Sequence, residues 1–273
     1  MMRSLTFKLA LVFILLSSFS FAQGTMSVIS WNLKDFGKSK SDAEVTYIAA
    51  LVTSYDVLAI QEVVAGFGGP QAVARLINKL NRKGSKWDFL VSSSTSGTSA
   101  HKAERYAFIY KTAKLKLVGK PWLEQKYSQW IEREPFFAKF ISEGKMFTLV
   151  NYHAITRSQQ PAREIKYFKL FPVAYPNDNL IFCGDFNVPQ SHSVFNPLRS
   201  MGYAPVLKGQ KTSLRQKCID GDCLASEFDN FYFNIQKFKI RSAGVLHFYR
   251  HFPEFRLARK LSDHLPVFVT FEL

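Results

Sequence analysis

A chain of 273 residues, 47% hydrophobic and 21% charged, has room for one large domain or two small ones and an ordinary globular composition. That excludes a disordered chain, a collagen-like repeat or a coiled coil as the main architecture, and 26 Phe supply bulky apolar mass for a thick core. The net charge of +15 suits a polyanionic partner, nucleic acid or an anionic membrane surface, but also a basic surface kept for solubility, so charge alone does not choose.

Residues 1–22 read as a secretory signal peptide. Arg3 and Lys8 form a positive start, Leu9 to Leu16 an apolar run too short to span a bilayer, and Ser20-Phe21-Ala22 a cleavage site. The remainder, 23–273, reads as a single domain that stays strongly basic, secreted or periplasmic and monomeric, with no further transmembrane stretch. Export permits disulfides. Cys218 and Cys223 bracket a turn-like segment and are expected to bond locally. Cys183 sits in an apolar run as a buried thiol, although a pairing that uses it stays open.

Along the chain, Ser27–Trp31 is β-prone, and Asp42–Ser54 carries helical spacing through Val45, Ile48, Ala49 and Val52. Val57–Ile60 is a continuous apolar strand. Val73, Leu76, Ile77 and Leu80 mark a second amphipathic helix entered at Pro70. A Ser/Thr/Gly loop covers Ser92–Ser99. Tyr106–Tyr110 and Phe136–Phe140 are strands, and the turn Ser142–Lys145 leads into a strand over Met146–Tyr152. Ala162–Tyr175 reads as helical, with strands at Leu180–Cys183, Phe231–Phe233 and Val267–Phe271. Strands apolar on both faces must be covered on both sides. The expected architecture is therefore an α/β four-layer α/β/β/α sandwich, two mixed β-sheets packed face to face with helices outside.

Polar clusters sit at the ends of the apolar strands: Trp31-Asn32, Gln61-Glu62, Tyr152-His153, Gly184-Asp185-Phe186-Asn187 and Ser262-Asp263-His264. Strand ends are where functional groups collect in such sheets. Each cluster alone is equally a turn or a solvated strand end. Together they offer hard oxygen ligands suited to Mg²⁺ or Ca²⁺ and two imidazoles able to move protons near neutral pH, a set suited to phosphate-ester hydrolysis.

In this order, the motifs Val28–Gly37, Ile60-Gln61-Glu62-Val63, Glu104-Arg105-Tyr106, Arg133-Glu134-Pro135, His153, Gly184-Asp185-Phe186-Asn187, Phe228-Asp229 and Ser262-Asp263-His264-Leu265-Pro266 resemble the endonuclease/exonuclease/phosphatase superfamily. Within it the chain is most similar to the deoxyribonuclease I branch. The resemblance implies a metal-dependent phosphodiesterase acting on DNA. Glu62 would hold an essential Mg²⁺, with Asn32 and Asp263 close by, Mn²⁺ as a substitute and Ca²⁺ as a supporting ion. His264, oriented by Asp229, would take a proton from the attacking water, and His153, paired with Glu104, would protonate the leaving 3′ oxygen. Asp185 and Asn187 would hold the phosphate, metal or nucleophile, and Arg133 would contact a phosphate. Lys34 and Arg157 are further phosphate candidates, and Lys38, Lys40, Lys102, Arg250, Arg256, Arg259 and Lys260 could attract the backbone. The chain departs from that branch at Val64, where an Arg is usual, and at Lys102, where a Tyr is usual; both family residues reach into the minor groove. The run His247–Phe252 reads as a substrate loop or a surface loop. A lipid phosphodiesterase or phosphatase of the same superfamily, of sphingomyelinase or inositol-phosphate phosphatase type, is the competing reading.

Overall fold

The computed structural model describes residues 24–97 and 103–273; the segment 1–22, expected to be a signal peptide, the last two residues of the expected loop 92–99, and Lys102 lie outside them. In chain order the elements are β1 (Thr25–Phe36), α1 (Asp42–Val52), β2 (Val57–Val64), α2 (Gly68–Asn81), β3 (Trp87–Val91), β4 (Glu104–Lys111), β5 (Lys116–Leu117), β6 (Trp122–Leu123), β7 (Phe136–Ser142), β8 (Lys145–His153), α3 (Ala162–Ile165), α4 (Phe171–Ala174), β9 (Leu180–Asp185), α5 (Asn196–Ser200), β10 (Tyr203–Pro205), β11 (Leu214–Ile219), β12 (Asp222–Leu224), β13 (Asp229–Asn234), β14 (Lys239–Val245), α6 (Phe255–Leu261) and β15 (Val267–Glu272). One sheet runs β14-β15-β1-β2-β4-β3, and the other β10-β13-β9-β8-β7-β5 with β6 also on β7.

Period-two alternation along the central strands builds the layers. Val28, Val57, Phe108, Phe140, Leu149 and Phe271 belong to the core between the sheets. On the same strands Ile29, Trp31, Leu58 and Ile60 face the other way, against Val45, Ile48, Val73 and Leu76 of α1 and α2. On the far side, Phe137, Val150 and Phe182 pack against Phe168, Phe171 and Leu198. The result is the expected α/β/β/α sandwich.

Local chemistry sets the element ends. Ser41 caps α1, its hydroxyl accepting from Glu44 N at 3.2 Å while the Glu44 carboxylate accepts from Ser41 N at 2.7 Å. Glu143 and Gly144, both at positive φ, make the two-residue turn from β7 to β8. α2 starts two residues before Pro70, whose missing N–H costs nothing in a first turn. The continuous helix expected over 162–175 is broken into α3, a 3₁₀ turn at Phe168–Leu170, and α4. Pro172 cannot donate to the Phe168 carbonyl, and its ring crowds that oxygen.

The topology places the site. β1 and β2 are parallel, as are β8 and β9. Their C-terminal ends carry Asn32, Glu62, His153 and Asp185. The antiparallel neighbours β4 and β13 begin at that same edge with Glu104 and Asp229, so Val64 pairs with Glu104 and Asp185 with Asp229. Just beneath, Asn151 of β8 ties the sheets together. Its amide donates to Ile60 O and Ala107 O at 3.0 and 3.3 Å, and its Oδ1 accepts from Gln61 Nε2 at 2.5 Å.

Candidate active site

Backbone irregularities aim the functional side chains. Glu62 has φ +59 and lies inside a register shift between Ile60 and Val63. A non-glycine residue in that region is strained, and such strain gathers where a side chain must be redirected. In Gly184-Asp185-Phe186-Asn187, Gly184 sits at φ +132, where an added Cβ would lie 1.9 Å from Tyr152 O. Only glycine lets β9 approach β8 this closely. One residue on, Asp185 Oδ1 accepts from Asn187 N at 2.9 Å, and Asn187 adopts φ +54 to close the turn.

Two histidine–carboxylate pairs converge on this edge. His153 Nδ1 is 2.9 Å from Glu104 Oε2, and His264 Nδ1 is 2.9 Å from Asp229 Oδ2. Each leaves Nε2 directed inward, at 3.4 Å (His153) and 3.6 Å (His264) from Asp185 Oδ2. Asn32 Nδ2 donates to Glu62 Oε1 at 2.9 Å and to Asp185 Oδ2 at 3.3 Å, so two carboxylates meet at one amide. Asp35 N donates to Glu62 Oε2 at 3.1 Å. Arg133 Nε lies 3.5 Å from Glu104 Oε2, and its Nη1 donates to Ala154 O, which also accepts from Asn187 Nδ2. A cavity of about 380 Å³ opens over Asp35, Glu62, Glu104, Arg133 and His153.

Burial pushes the His153 imidazole down to about 4 and the Glu104 carboxyl up to about 7. Between those limits the pair holds one exchangeable proton along its 2.9 Å bond. Burial likewise opposes charge on His264, but the carboxylates of Asp229 and Asp185 outweigh it and hold that imidazole well above its ordinary range. Asp185 is itself raised by burial.

Of the residues singled out from sequence, His153, His264, Glu104, Asp229, Asp185, Asn187, Glu62, Asn32 and Arg133 form one contact network. Asp263 is turned toward cations, with Lys34 at 3.6 Å and Arg259 at 3.4 Å. Arg157 is exposed in a 3₁₀ turn after β8. Two backbone-attraction candidates are redirected by the structure. Lys40 is buried, its ammonium donating to Lys260 O and Leu261 O at 3.0 and 2.6 Å to cap α6. Arg259 donates to Leu214 O and Arg215 O at 2.7 and 2.6 Å. The local disulfide joins Cys218 and Cys223, and Cys183 is a buried free thiol.

Supporting residues emerge that carried no signal of their own. Thr212 donates to Asp229 Oδ2 at 2.7 Å and fixes the carboxylate behind His264. Ser262 accepts from His264 N and donates to Asn32 O at 2.6 Å, joining β1 to the His264 segment. Tyr106 OH accepts from His153 N at 3.1 Å. Ser262 and Tyr106 lie inside motifs already noted, whereas Thr212 lies in a plain Lys-Thr-Ser stretch.

The donor chemistry fits a hard divalent cation. Glu62 and Asp185 present two carboxylates to one point, bridged by the Asn32 Nδ2 while Asn32 Oδ1 accepts from Lys34 N at 3.1 Å, and Asp185, Asp229 and His264 bring ligand atoms within 4.8 Å of one another. Oδ1 of Asp229 is buried without a hydrogen-bond partner. The first set is the better holder, because the second would compete with the Asp229–His264 bond.

A sequence model of the Endonuclease/Exonuclease/phosphatase family matches residues 29–264. A deoxyribonuclease of Thioalkalivibrio sp. (strain K90mix) is 26% identical over 96% of this chain and 74% of its own length. Deoxyribonuclease-1 of Oryctolagus cuniculus is 26% identical over 62% of this chain, and the match spans under two thirds of that protein, 63%. An endonuclease/exonuclease/phosphatase family protein from Bacteroides thetaiotaomicron shares the fold, with a TM-score of 0.65 at 17% identity over 92% of this chain and 98% of that one.

Proposed function

The chain belongs to the endonuclease/exonuclease/phosphatase family, and from that premise we propose that it is a secreted or periplasmic, divalent-metal-dependent endonuclease that hydrolyses DNA phosphodiester bonds with low sequence specificity. The observation that carries the reading is the pair of imidazole Nε2 atoms facing one carboxylate oxygen from opposite partners, at 3.4 and 3.6 Å. In-line displacement at phosphorus needs a base on one side and an acid on the other.

His264, held by Asp229, is the base that takes the proton of the attacking water. It must first release its own proton, and any positive charge taken up by Asp185 loosens the hold on it. His153 with Glu104 is the acid, since that pair keeps an exchangeable proton up to about pH 7. Arg133 beside Glu104 offsets charge on the phosphoryl oxygens. Asn187, anchored on Ala154 O, fixes Asp185 in the centre. Lys34 and the exposed Arg157 extend the phosphate contacts. Glu62 and Asp185 would hold Mg²⁺ or Mn²⁺, with Asn32 as a further ligand once its amide turns Oδ1 toward them and Asp263 near the rim; the ion would supply charge neutralisation at the phosphate and a more acidic water.

The competing lipid phosphodiesterase reading has one observation in its favour: Phe67, on the turn bordering the catalytic cavity, is 88% exposed. The strong positive charge favours DNA. Among the described residues no helix is long and apolar enough to cross a membrane. The deciding assay offers plasmid, single-stranded DNA, RNA and sphingomyelin side by side, with Mg²⁺, Mn²⁺, Ca²⁺ or EDTA. Metal-dependent nicking of plasmid supports the endonuclease; turnover of sphingomyelin alone overturns it.

A further inference from the structure

A second cavity, of about 450 Å³, lies one residue along the chain from the catalytic one: Glu132 lines it, and Arg133 lines the catalytic cavity. Its wall carries Trp130, one of the few large apolar side chains left open among the described residues, at 45% exposure. The indole is stacked on Tyr167, with ring centroids 5.1 Å apart and planes 20° from parallel. Behind it stands Tyr127, at 6.3 Å, itself packed edge-on against the buried Phe171. The exposed ring is thus held in place before anything binds, and a preorganised aromatic surface loses little entropy on binding.

The charges at the cavity select its occupant. Arg163 is 59% exposed, and Lys166 is exposed with its ammonium 5.1 Å from the Tyr167 centroid. The acids are engaged inward. The Glu132 side chain is 6% exposed and lies 3.9 Å from Arg163, while Glu164 accepts from Tyr152 OH and from the N–H groups of Glu132 and Ile155. An aromatic wall edged by two solvent-exposed cations, with the acids turned inward, suits a flat, neutral ring joined to a phosphate better than a quaternary ammonium headgroup.

We infer that the Trp130–Tyr167 cavity is a subsite for an unpaired nucleobase of the substrate strand, on the Arg133 and His153 side of the catalytic centre, with Arg163 and Lys166 taking the adjoining phosphates. The inference rests on the nuclease reading and narrows it. A base inside a duplex has both faces covered, so only a single-stranded or locally opened strand can use the platform.

The test is binding in EDTA by the full chain, so that no cleavage enters. The probes are a fluorescein-labelled single-stranded oligodeoxynucleotide and a strand of the same length and charge made wholly of abasic sugars. The native protein should bind the base-bearing strand more tightly. Trp130→Ala should weaken that binding by about 5- to 150-fold and abolish the preference for bases, with Trp130→Phe falling between. Equal affinity of the native protein for the two strands, or an unchanged affinity in Trp130→Ala, would overturn the subsite. Base-dependent binding in a protein that cleaves no nucleic acid with any metal would overturn the nuclease reading and leave the subsite standing.

Discussion

His153 and His264, 111 positions apart in the chain, direct their Nε2 atoms at the same oxygen, Oδ2 of Asp185, from 3.4 and 3.6 Å. The opposite nitrogen of each ring is tied to its own carboxylate at 2.9 Å. A carboxylate on Nδ1 fixes each ring's orientation and leaves Nε2 facing inward; it supports the charged form of His264, whereas burial keeps His153 neutral.

Replacing either histidine should therefore act on turnover. His264→Ala and His153→Ala should each lower kcat by ~10²–10⁴ on DNA, and the double variant should lose less than the product, since both groups serve one transition state. A nitrophenyl phosphodiester, whose leaving group needs no proton, separates the roles. His153→Ala should recover much of its loss on it and His264→Ala should not. Equal losses on that substrate would remove the acid–base division.

The Glu104–His153 pair sets a pH limit. Its exchangeable proton is lost as pH rises through about 7, so kcat should fall on that alkaline side, and Glu104→Gln should abolish the limb. Stability carries a second signature. The raised Glu104 contributes stability that is complete below its ordinary 4.5 and lost as pH rises through about 7. The lowered His153 contributes stability that is complete above 6.5 and lost as pH falls toward about 4. The two slopes oppose each other across the shared window. Glu104→Gln leaves only the second, so its Tm should drop relative to the native chain between pH 6.5 and 4. Parallel Tm curves would contradict the assignment.

Glu62 and Asp185 bring two carboxylates to one point, and that concentration of negative charge is what a divalent cation offsets. EDTA should abolish cleavage, with Mg²⁺ or Mn²⁺ restoring it. Glu62→Gln should raise the metal concentration required for half-maximal rate while leaving the fold intact, because it keeps the shape and removes the anion. Circular dichroism and a metal titration check both halves, and full plasmid cleavage in metal-free buffer would defeat the expectation.

Salt and the lysines can be separated. Binding to duplex DNA should weaken with added salt, with a log–log slope of roughly −0.9 per phosphate contact. Lys34→Ala and Arg157→Ala should each make that slope shallower. Lys40→Ala should leave it unchanged and lower Tm instead, since its ammonium caps α6 rather than facing solvent. A Lys40 variant with a changed slope and unchanged Tm would refute this division.

The Cys218–Cys223 bond closes a short hairpin between β11 and β12, so its entropic contribution is at most about 2 kcal/mol. A Cys218→Ser/Cys223→Ser variant should melt a few degrees lower and keep most of its kcat. Both thiols reacting with an alkylating reagent in native, unreduced protein would show the bond to be absent.

The sequence by itself determined the layers and the inventory of chemical groups. Alternation places Val28 toward one core and Ile29 toward the other, and short polar clusters after apolar runs mark the strand ends, because both are local patterns that the chain carries wherever it folds. It missed β3 and β14, edge strands whose Trp87–Val91 and Lys239–Val245 runs need bury only part of their surface. It also ran a helix through Pro172, whose cost depends on the carbonyl four residues before it. Which carboxylate serves which histidine was legible only through the resemblance to known nucleases. Only the tertiary structure decided that Asp185 stands between His153 and His264, that Thr212 holds Asp229, that Lys40 caps a helix 220 residues away, and that Trp130 meets Tyr167 beside Arg133. The parallel β8–β9 crossover delivers His153 and Asp185 to one edge, and the packed sheets bring the other segments alongside it. A contact between residues so far apart leaves no trace in the local spacing of either.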